Sequence, residues 1–211
     1  MLEIVLVRHG ETDWNLGEVF RGRADIDLNE TGMRQAELLG EYLSREPIDF
    51  VYSSPLQRAA KTAGAIAAYH NLEVNKISNL IDFDFGEWQG LSLKEVKAKY
   101  EEIHRDWIDT PEQVRVPGGE CLEEVSSRAM SFVEDAVMRC GEGRIVLVSH
   151  RVVCKVLICG LLGMDNSYFH NIRMDTCGVT RFDCGGGRLV LTSHNDISFL
   201  KSMNGPVLQD F

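Results

Sequence analysis

Several absences narrow this 211-residue sequence before any motif is considered. It has no excess of basic charge, since 22 lysines and arginines face 32 acids for a net charge of −10. Nucleic acid and anionic membrane both require a basic face, so neither is expected as a partner. No apolar run is long enough to span a bilayer, and no basic-then-apolar leader stands at the start, so a cytosolic protein is expected. The six cysteines (Cys121, Cys140, Cys154, Cys159, Cys177 and Cys184) form no CxxC pair and no zinc-type spacing. Cys154 and Cys159 fall in an apolar helical pattern and Cys177 and Cys184 flank a strand pattern, which points to reduced packing residues, with neither a disulfide framework nor a metal site. No linker or low-complexity stretch divides the chain, and 44% hydrophobic with 26% charged residues is ordinary for a globular protein. A single domain over 1–211 is expected.

What is present is organised around two matching phrases. The run Ile4-Val5-Leu6-Val7 stops at Arg8-His9-Gly10-Glu11-Thr12, and Ile145-Val146-Leu147-Val148-Ser149-His150 again places a histidine two residues past an apolar run. Short β-branched and aliphatic runs of this kind suit strands buried on both faces of a parallel sheet. Ligands of open α/β sheets bind beyond the carboxyl ends of the strands, so both histidines are expected at one functional edge.

The remaining pattern alternates helix and strand. An amphipathic helix is predicted from Thr31-Gly32 to about Ser44, with Met33, Ala36, Leu39 and Leu43 inward. Phe50 to Ser53 is a strand, and Ser54-Pro55-Leu56-Gln57 starts a helix by serine N-cap, first-position proline and a Gln three residues past the cap. That puts Arg58 in a first helical turn at the same edge as His9. A short strand is expected at Glu73 to Ile77, and a half-buried strand or an ordered loop at Leu80 to Trp88. Ser92-Leu93-Lys94-Glu95 is a capping box, and the irregular stretch from 100 to 119, with Pro111, Pro117 and Gly118-Gly119, has the character of a lid. Helices follow over Glu120 to Met138 and Val152 to Leu162, then strands Gly178 to Cys184 and Arg188 to Thr192 joined by three glycines as a hairpin. The expected fold is a three-layer α/β/α sandwich with a mostly parallel central sheet and a C-terminal hairpin.

Arg8, Arg58, His9 and His150 together suit a dianionic phosphoryl group, because guanidiniums match phosphate oxygens and imidazoles add donors. A neutral histidine among such cations can attack phosphorus while the surrounding charge stabilises the transition state. A nearby carboxylic acid can then protonate the leaving alkoxide.

These residues sit in motifs that resemble the histidine phosphatase superfamily, the phosphoglycerate-mutase-like branch 1. The resemblance runs through Val7-Arg8-His9-Gly10-Glu11-Thr12-Asp13-Trp14-Asn15, Asp27-Leu28-Asn29-Glu30-Thr31-Gly32, Ser53-Ser54-Pro55-Leu56-Gln57-Arg58-Ala59, Phe85-Gly86-Glu87-Trp88-Gln89-Gly90, Pro117-Gly118-Gly119-Glu120 and Val148-Ser149-His150. It implies His9 as the phosphorylated nucleophile, and Arg8, Arg58 and His150 as holders of the phosphoryl group with Asn15 assisting. It implies Asp82 as the acid, four residues before Gly86 where glutamate is common, with Asp84 and Glu87 as alternatives. Arg21 and Gly22 stand where the family's loop approaches the leaving group. Arg151 replaces a common glycine and Cys121 a common serine. His70, His170 and His194 lie outside the motifs, His104 with Trp107 falls in the lid-like stretch, and Trp14 and Trp88 suit packing beside the pocket.

The resemblance implies a metal-independent phosphomonoester hydrolase, with no cofactor, acting through a phosphohistidine on a small phosphorylated metabolite of the α-ribazole phosphate, sugar phosphate or phosphoglycerate type. The alternatives are a phosphoglycerate mutase, whose members typically carry a longer insertion between acid and second histidine, and a non-catalytic phosphate or phosphoprotein-binding module. The apolar tail hairpin offers a surface for a homodimer.

Overall fold

A computed structural model of the chain describes residues 1–201 and 203. A six-stranded sheet runs in the order β3-β2-β4-β1-β5-β6, built from β1 (Leu2–Arg8), β2 (Phe50–Ser53), β3 (Val74–Lys76), β4 (Gly143–Ser149), β5 (Val179–Gly185) and β6 (Arg188–Asp196). The first four are parallel, and β5 and β6 add an antiparallel edge. The helices are α1 (Asp13–Leu16), α2 (Glu30–Leu43), α3 (Gln57–His70), α4 (Leu93–Lys99), α5 (Glu101–Asp109), α6 (Leu122–Cys140) and α7 (Arg151–Leu161). Alternate residues of β1 and β4 feed two separate cores. Ile4, Leu6, Ile145 and Leu147 pack with α6 and α7, and Val5, Val7, Val146 and Val148 with α2 and α3. This is the three-layer, mostly parallel sandwich expected from strands that are apolar on both faces.

The register decides the site. Val7 lies opposite Val148 and Arg8 opposite Ser149, so the residues that follow, His9 and His150, leave the sheet side by side. Gly10 then lies so tightly against α2 that a Cβ there would stand 2.6 Å from the carbonyl oxygen of Gly32. The hairpin turns on Gly186 and Gly187, both at positive φ, between paired Gly185 and Arg188, a two-residue turn that glycine permits without strain.

Local chemistry moved several expected boundaries. Asn29, not Thr31, caps α2, its Oδ1 accepting from Gly32 N–H at 2.8 Å, and Met33 is exposed because the helix presents that face to solvent. The third helix starts at Gln57, with Leu56 at its N-cap, rather than beside Ser54; the Ser54 hydroxyl lies 2.7 Å from His150 Nε2 and accepts from Leu56 N–H at 3.3 Å. Leu80 to Trp88 is the ordered loop and not a strand, with 3₁₀ turns at Ser78–Leu80 and Gly86–Trp88. Where irregular chain was expected after 100, α5 forms, burying His104 and Trp107. All six cysteines are free thiols.

Candidate active site

Five elements deliver the side chains to one edge. His9 follows β1, His150 is the N-cap of α7, Arg58 lies in the first turn of α3, and Arg21 and Asp82 come from loops. His9, Arg21, Asp82 and Arg151 line one cleft with Val19, Phe20, Phe85 and Val152. The cleft is bounded by the loop after α1, the Asp82 loop and the start of α7.

The His9 ring is fixed by one contact. Its Nδ1 is 2.6 Å from the carbonyl oxygen of Gly10, and since a carbonyl only accepts, Nδ1 carries the proton. Nε2 is therefore the nitrogen with the lone pair. The His150 ring stands edge-on to it with centroids 5.1 Å apart. His150 Nε2 lies 2.7 Å from the Ser54 hydroxyl and Nδ1 3.5 Å from Asp82 Oδ2. If Ser54 donates to Nε2, the proton rests on Nδ1, which points toward the Asp82 carboxylate but makes no hydrogen bond.

Both rings are wholly buried beside cations, and this sets their protonation. Burial first, then Arg58, His150, Arg8 and Arg21, hold the His9 imidazole well below its usual value; burial with Arg58, Arg21, Arg128 and Arg8 does the same to His150. Both imidazoles are therefore held toward their neutral forms, the form in which a ring nitrogen keeps its lone pair.

The guanidiniums are held from behind by backbone carbonyls. Arg58 donates from Nη1 to Ala24 O at 2.7 Å and from Nη2 to Gly22 O at 2.8 Å and Asp82 Oδ2 at 3.0 Å. Gly22 can approach this closely because it adopts a positive φ in a space where a Cβ would meet Gln89 Oε1 at 2.7 Å. Arg8 donates from Nη1 to Met174 O at 2.7 Å. The carbonyl partners fix the direction of both guanidiniums, and Arg58 is paired in addition with the Asp82 carboxylate. Asn15 is buried and turns its Oδ1 toward Thr12, accepting from the N–H and the hydroxyl at 2.9 Å each, which shapes the loop after His9.

Of the three acids considered, Asp82 faces the two histidines. Asp84 caps Gly86 N–H at 2.9 Å and pairs with Arg23 at 3.2 Å, and Glu87 accepts from the Tyr100 hydroxyl at 2.7 Å. Asp82 is 5% exposed, and its loop is clamped by a residue that no motif flagged. Arg128 on α6 donates to Asn79 O and Ile81 O at 2.7 Å each and to Asp82 O at 3.1 Å, and makes a bidentate pair with Glu120. Glu120 in turn accepts from Asp84 N–H at 2.9 Å. Sequence reasoning also missed Ser54 as a partner of His150, and Thr62, which accepts from Gly10 N–H at 3.1 Å and donates to Arg58 O at 2.8 Å. Glu120 and Ser54 lay inside matched blocks; Thr62 and Arg128 carried no signal, being ordinary helical positions. His104 packs against Trp88 in the core and does not line the cleft. Trp88 is fully buried among Phe20, Tyr100 and Trp107.

Chemically, this is a site for a compact dianion, with a nitrogen lone pair at its centre and a carboxyl group at its rim. The chain is similar in sequence and shape to known proteins. The sequence model of the Histidine phosphatase superfamily (branch 1) matches residues 4–197. Phosphoserine phosphatase 1 of Hydrogenobacter thermophilus is 42% identical over 180 residues, 85% of each chain. A phosphoserine phosphatase variant from Entamoeba histolytica, solved with phosphoserine, superposes with a TM-score of 0.86 at 30% identity over 95% of this chain and all of its own. The α-ribazole phosphatase of Shigella flexneri gives 0.84 at 27% identity, covering 92% of this chain and 96% of its own.

Proposed function

Because the chain belongs to the histidine phosphatase superfamily, branch 1, and is a phosphoric monoester hydrolase, we propose that it cleaves small phosphorylated metabolites through a phosphohistidine formed on His9 Nε2. The observation that carries this reading is the 2.6 Å contact of His9 Nδ1 with Gly10 O, which leaves the other nitrogen unprotonated in a cradle of cations. Arg8, Arg58 and His150 hold the phosphoryl oxygens and stabilise the charge spread in the transition state, as preorganised donors should. Asn15 supports the loop, and Arg21 and Gly22 border the leaving group.

His9 Nε2 attacks phosphorus, the P–O bond to the alcohol breaks, and Asp82 gives its proton to the departing oxygen. Water then enters, Asp82 takes a proton from it, and the P–N bond breaks to release inorganic phosphate and free His9. The segment from 100 to 119 serves as a lid-like cover of one hydrolase domain, tied to the rim where His170 donates from Nε2 to Trp107 O at 2.7 Å. None of these steps calls for a metal or an organic cofactor.

The test is rapid quench with ³²P-labelled O-phosphoserine, the compound named with the Entamoeba enzyme. Acid-labile, base-stable label should appear on the protein and vanish in His9→Gln. Turnover without any trapped label, or label retained in the variant, refutes the covalent route. Transfer of the label to added 3-phosphoglycerate in preference to water would instead make the protein a mutase.

A further inference from the structure

The helix that carries Arg58 in its first turn is not capped by its own neighbours. Leu56 stands at the N-cap of α3, and its side chain accepts no hydrogen bond. The acceptor comes from Asp25, 32 positions earlier in the chain: Oδ1 accepts from Gln57 N–H at 2.7 Å and Oδ2 from Gln57 Nε2 at 3.1 Å. One turn further along α3, Lys61 pairs with Asp27 of the same loop. The loop is thus fastened to one face of α3 by two carboxylates, at the residue just before Arg58 and three residues after it.

The same loop aims the Arg58 guanidinium. Its Nη2 donates to Gly22 O at 2.8 Å and its Nη1 to Ala24 O at 2.7 Å. Arg23, between these two carbonyls, turns the other way. Its N–H donates to Gln89 Oε1 at 2.8 Å, and its guanidinium pairs with Asp84 and Glu120 at 3.2 and 3.0 Å. A planar fork keeps one direction only while both of its acceptors keep their spacing and their distance from the helix. Asp25 fixes that distance, since it joins the loop to the helix one residue past Ala24 and one residue before Arg58. Its charge also reaches the fork: burial opposes the positive charge of Arg58, and Asp82 and then Asp25 support it. Asp25 itself is exposed, so its pairing adds little to the stability of the fold.

We propose that Asp25 is a positioning residue for the phosphoryl site: by capping α3 from a remote loop it locks residues 22–27 against the helix and so sets the direction in which Arg58 presents its guanidinium. The inference rests on the phosphoryl reading of the His9 pocket and adds a residue that acts on that pocket only through Arg58. Geometry is the main route and through-space charge the lesser one.

The experiment measures the Kd of inorganic phosphate by isothermal titration calorimetry, well below Tm, beside kcat/KM on p-nitrophenyl phosphate and O-phosphoserine. Asp25→Ala should weaken phosphate binding about tenfold, the worth of one hydrogen-bonded contact. It should lower kcat/KM on both esters by a common factor, because the phosphoryl group is what they share. Asp25→Asn keeps an acceptor for Gln57 N–H, and the Gln57 amide can turn its oxygen to the new Nδ2, so this variant should retain most of the wild-type affinity. A purely structural role would lower Tm and leave Kd unchanged, and thermal melts identify any variant that fails to fold. Unchanged phosphate binding in Asp25→Ala, or a loss in Asp25→Asn as large as in Asp25→Ala, overturns the proposal and leaves the phosphatase reading intact. A wild type that binds phosphate but turns over neither ester overturns hydrolysis through His9 and leaves the Asp25 comparison standing. A wild type that binds no phosphate overturns both.

Discussion

Acid should destabilise this protein before its ordinary carboxylates begin to titrate, and the buried pair His9 and His150 should be responsible. Both are buried and held neutral, with folded pKa values well below the 6.5 of an unfolded imidazole. Below pH 6.5 the unfolded chain therefore binds protons that the native state refuses. Stability is full above that value and falls as pH drops through and below it. For a histidine that stays neutral when folded, the loss at pH 5.5 is about 1.4 kcal/mol, so the pair contributes about 2.8 kcal/mol between pH 7.5 and 5.5. In a chain of this size that corresponds to a fall in Tm of about 5–10 °C. His104, His170 and His194 are shifted the same way, and acid also relieves the self-repulsion of an acidic protein, so the comparison must be differential. Thermal melts of wild type and His150→Asn across this range isolate the contribution, and the variant should show about half of the pair's slope removed. Millimolar inorganic phosphate should flatten the wild-type profile, because a dianion between the rings favours their protonated forms. A wild-type slope unchanged by both the substitution and phosphate would refute the reading of a neutral, anion-dependent pair.

Asp82→Asn should slow hydrolysis of alkyl phosphates by about a hundredfold or more and of p-nitrophenyl phosphate far less, since only poor leaving groups need the proton; equal losses in steady-state kcat/KM would assign the proton to another group. Arg128→Met strips three backbone carbonyls and Glu120 of their donor, and denaturant melts should show a loss of about 2–4 kcal/mol, with a leaving-group bias in the remaining activity because the Asp82 loop is freed. Ser54→Ala removes the 2.7 Å partner of His150 and should reduce kcat about tenfold with KM and Tm little changed; unaltered kcat would show that His150 is oriented by other contacts.

The edge that carries the candidate site was readable because strands buried on both faces leave a periodicity that local chemistry cannot imitate. Ile4 to Val7 and Ile145 to Val148 could only be interior strands, so the residues just past them had to emerge at a rim. The proline and glutamine after Ser54 placed Arg58 in a first turn even though the cap is Leu56 and not Ser54. The segment after residue 100 reads as irregular in sequence but forms α5 for a comparable reason. Its two prolines and paired glycines dominate the pattern, whereas α5 is stabilised by Trp107 entering the aromatic group of Phe83, Phe85 and Trp88, contacts remote in sequence.

The sequence by itself therefore determined the fold class, the strand-end position of both histidines and the identity of the cationic set, because each follows from periodicity or from a residue's place beside a strand or helix start. Only the tertiary structure decided which nitrogen of His9 is bare, which of three carboxyls faces the pocket, and that Arg128 holds that carboxyl's loop from α6. Those outcomes turn on single hydrogen bonds of 2.6 to 3.1 Å, most of them between residues tens of positions apart, and no local pattern carries a signal for where such a contact will close.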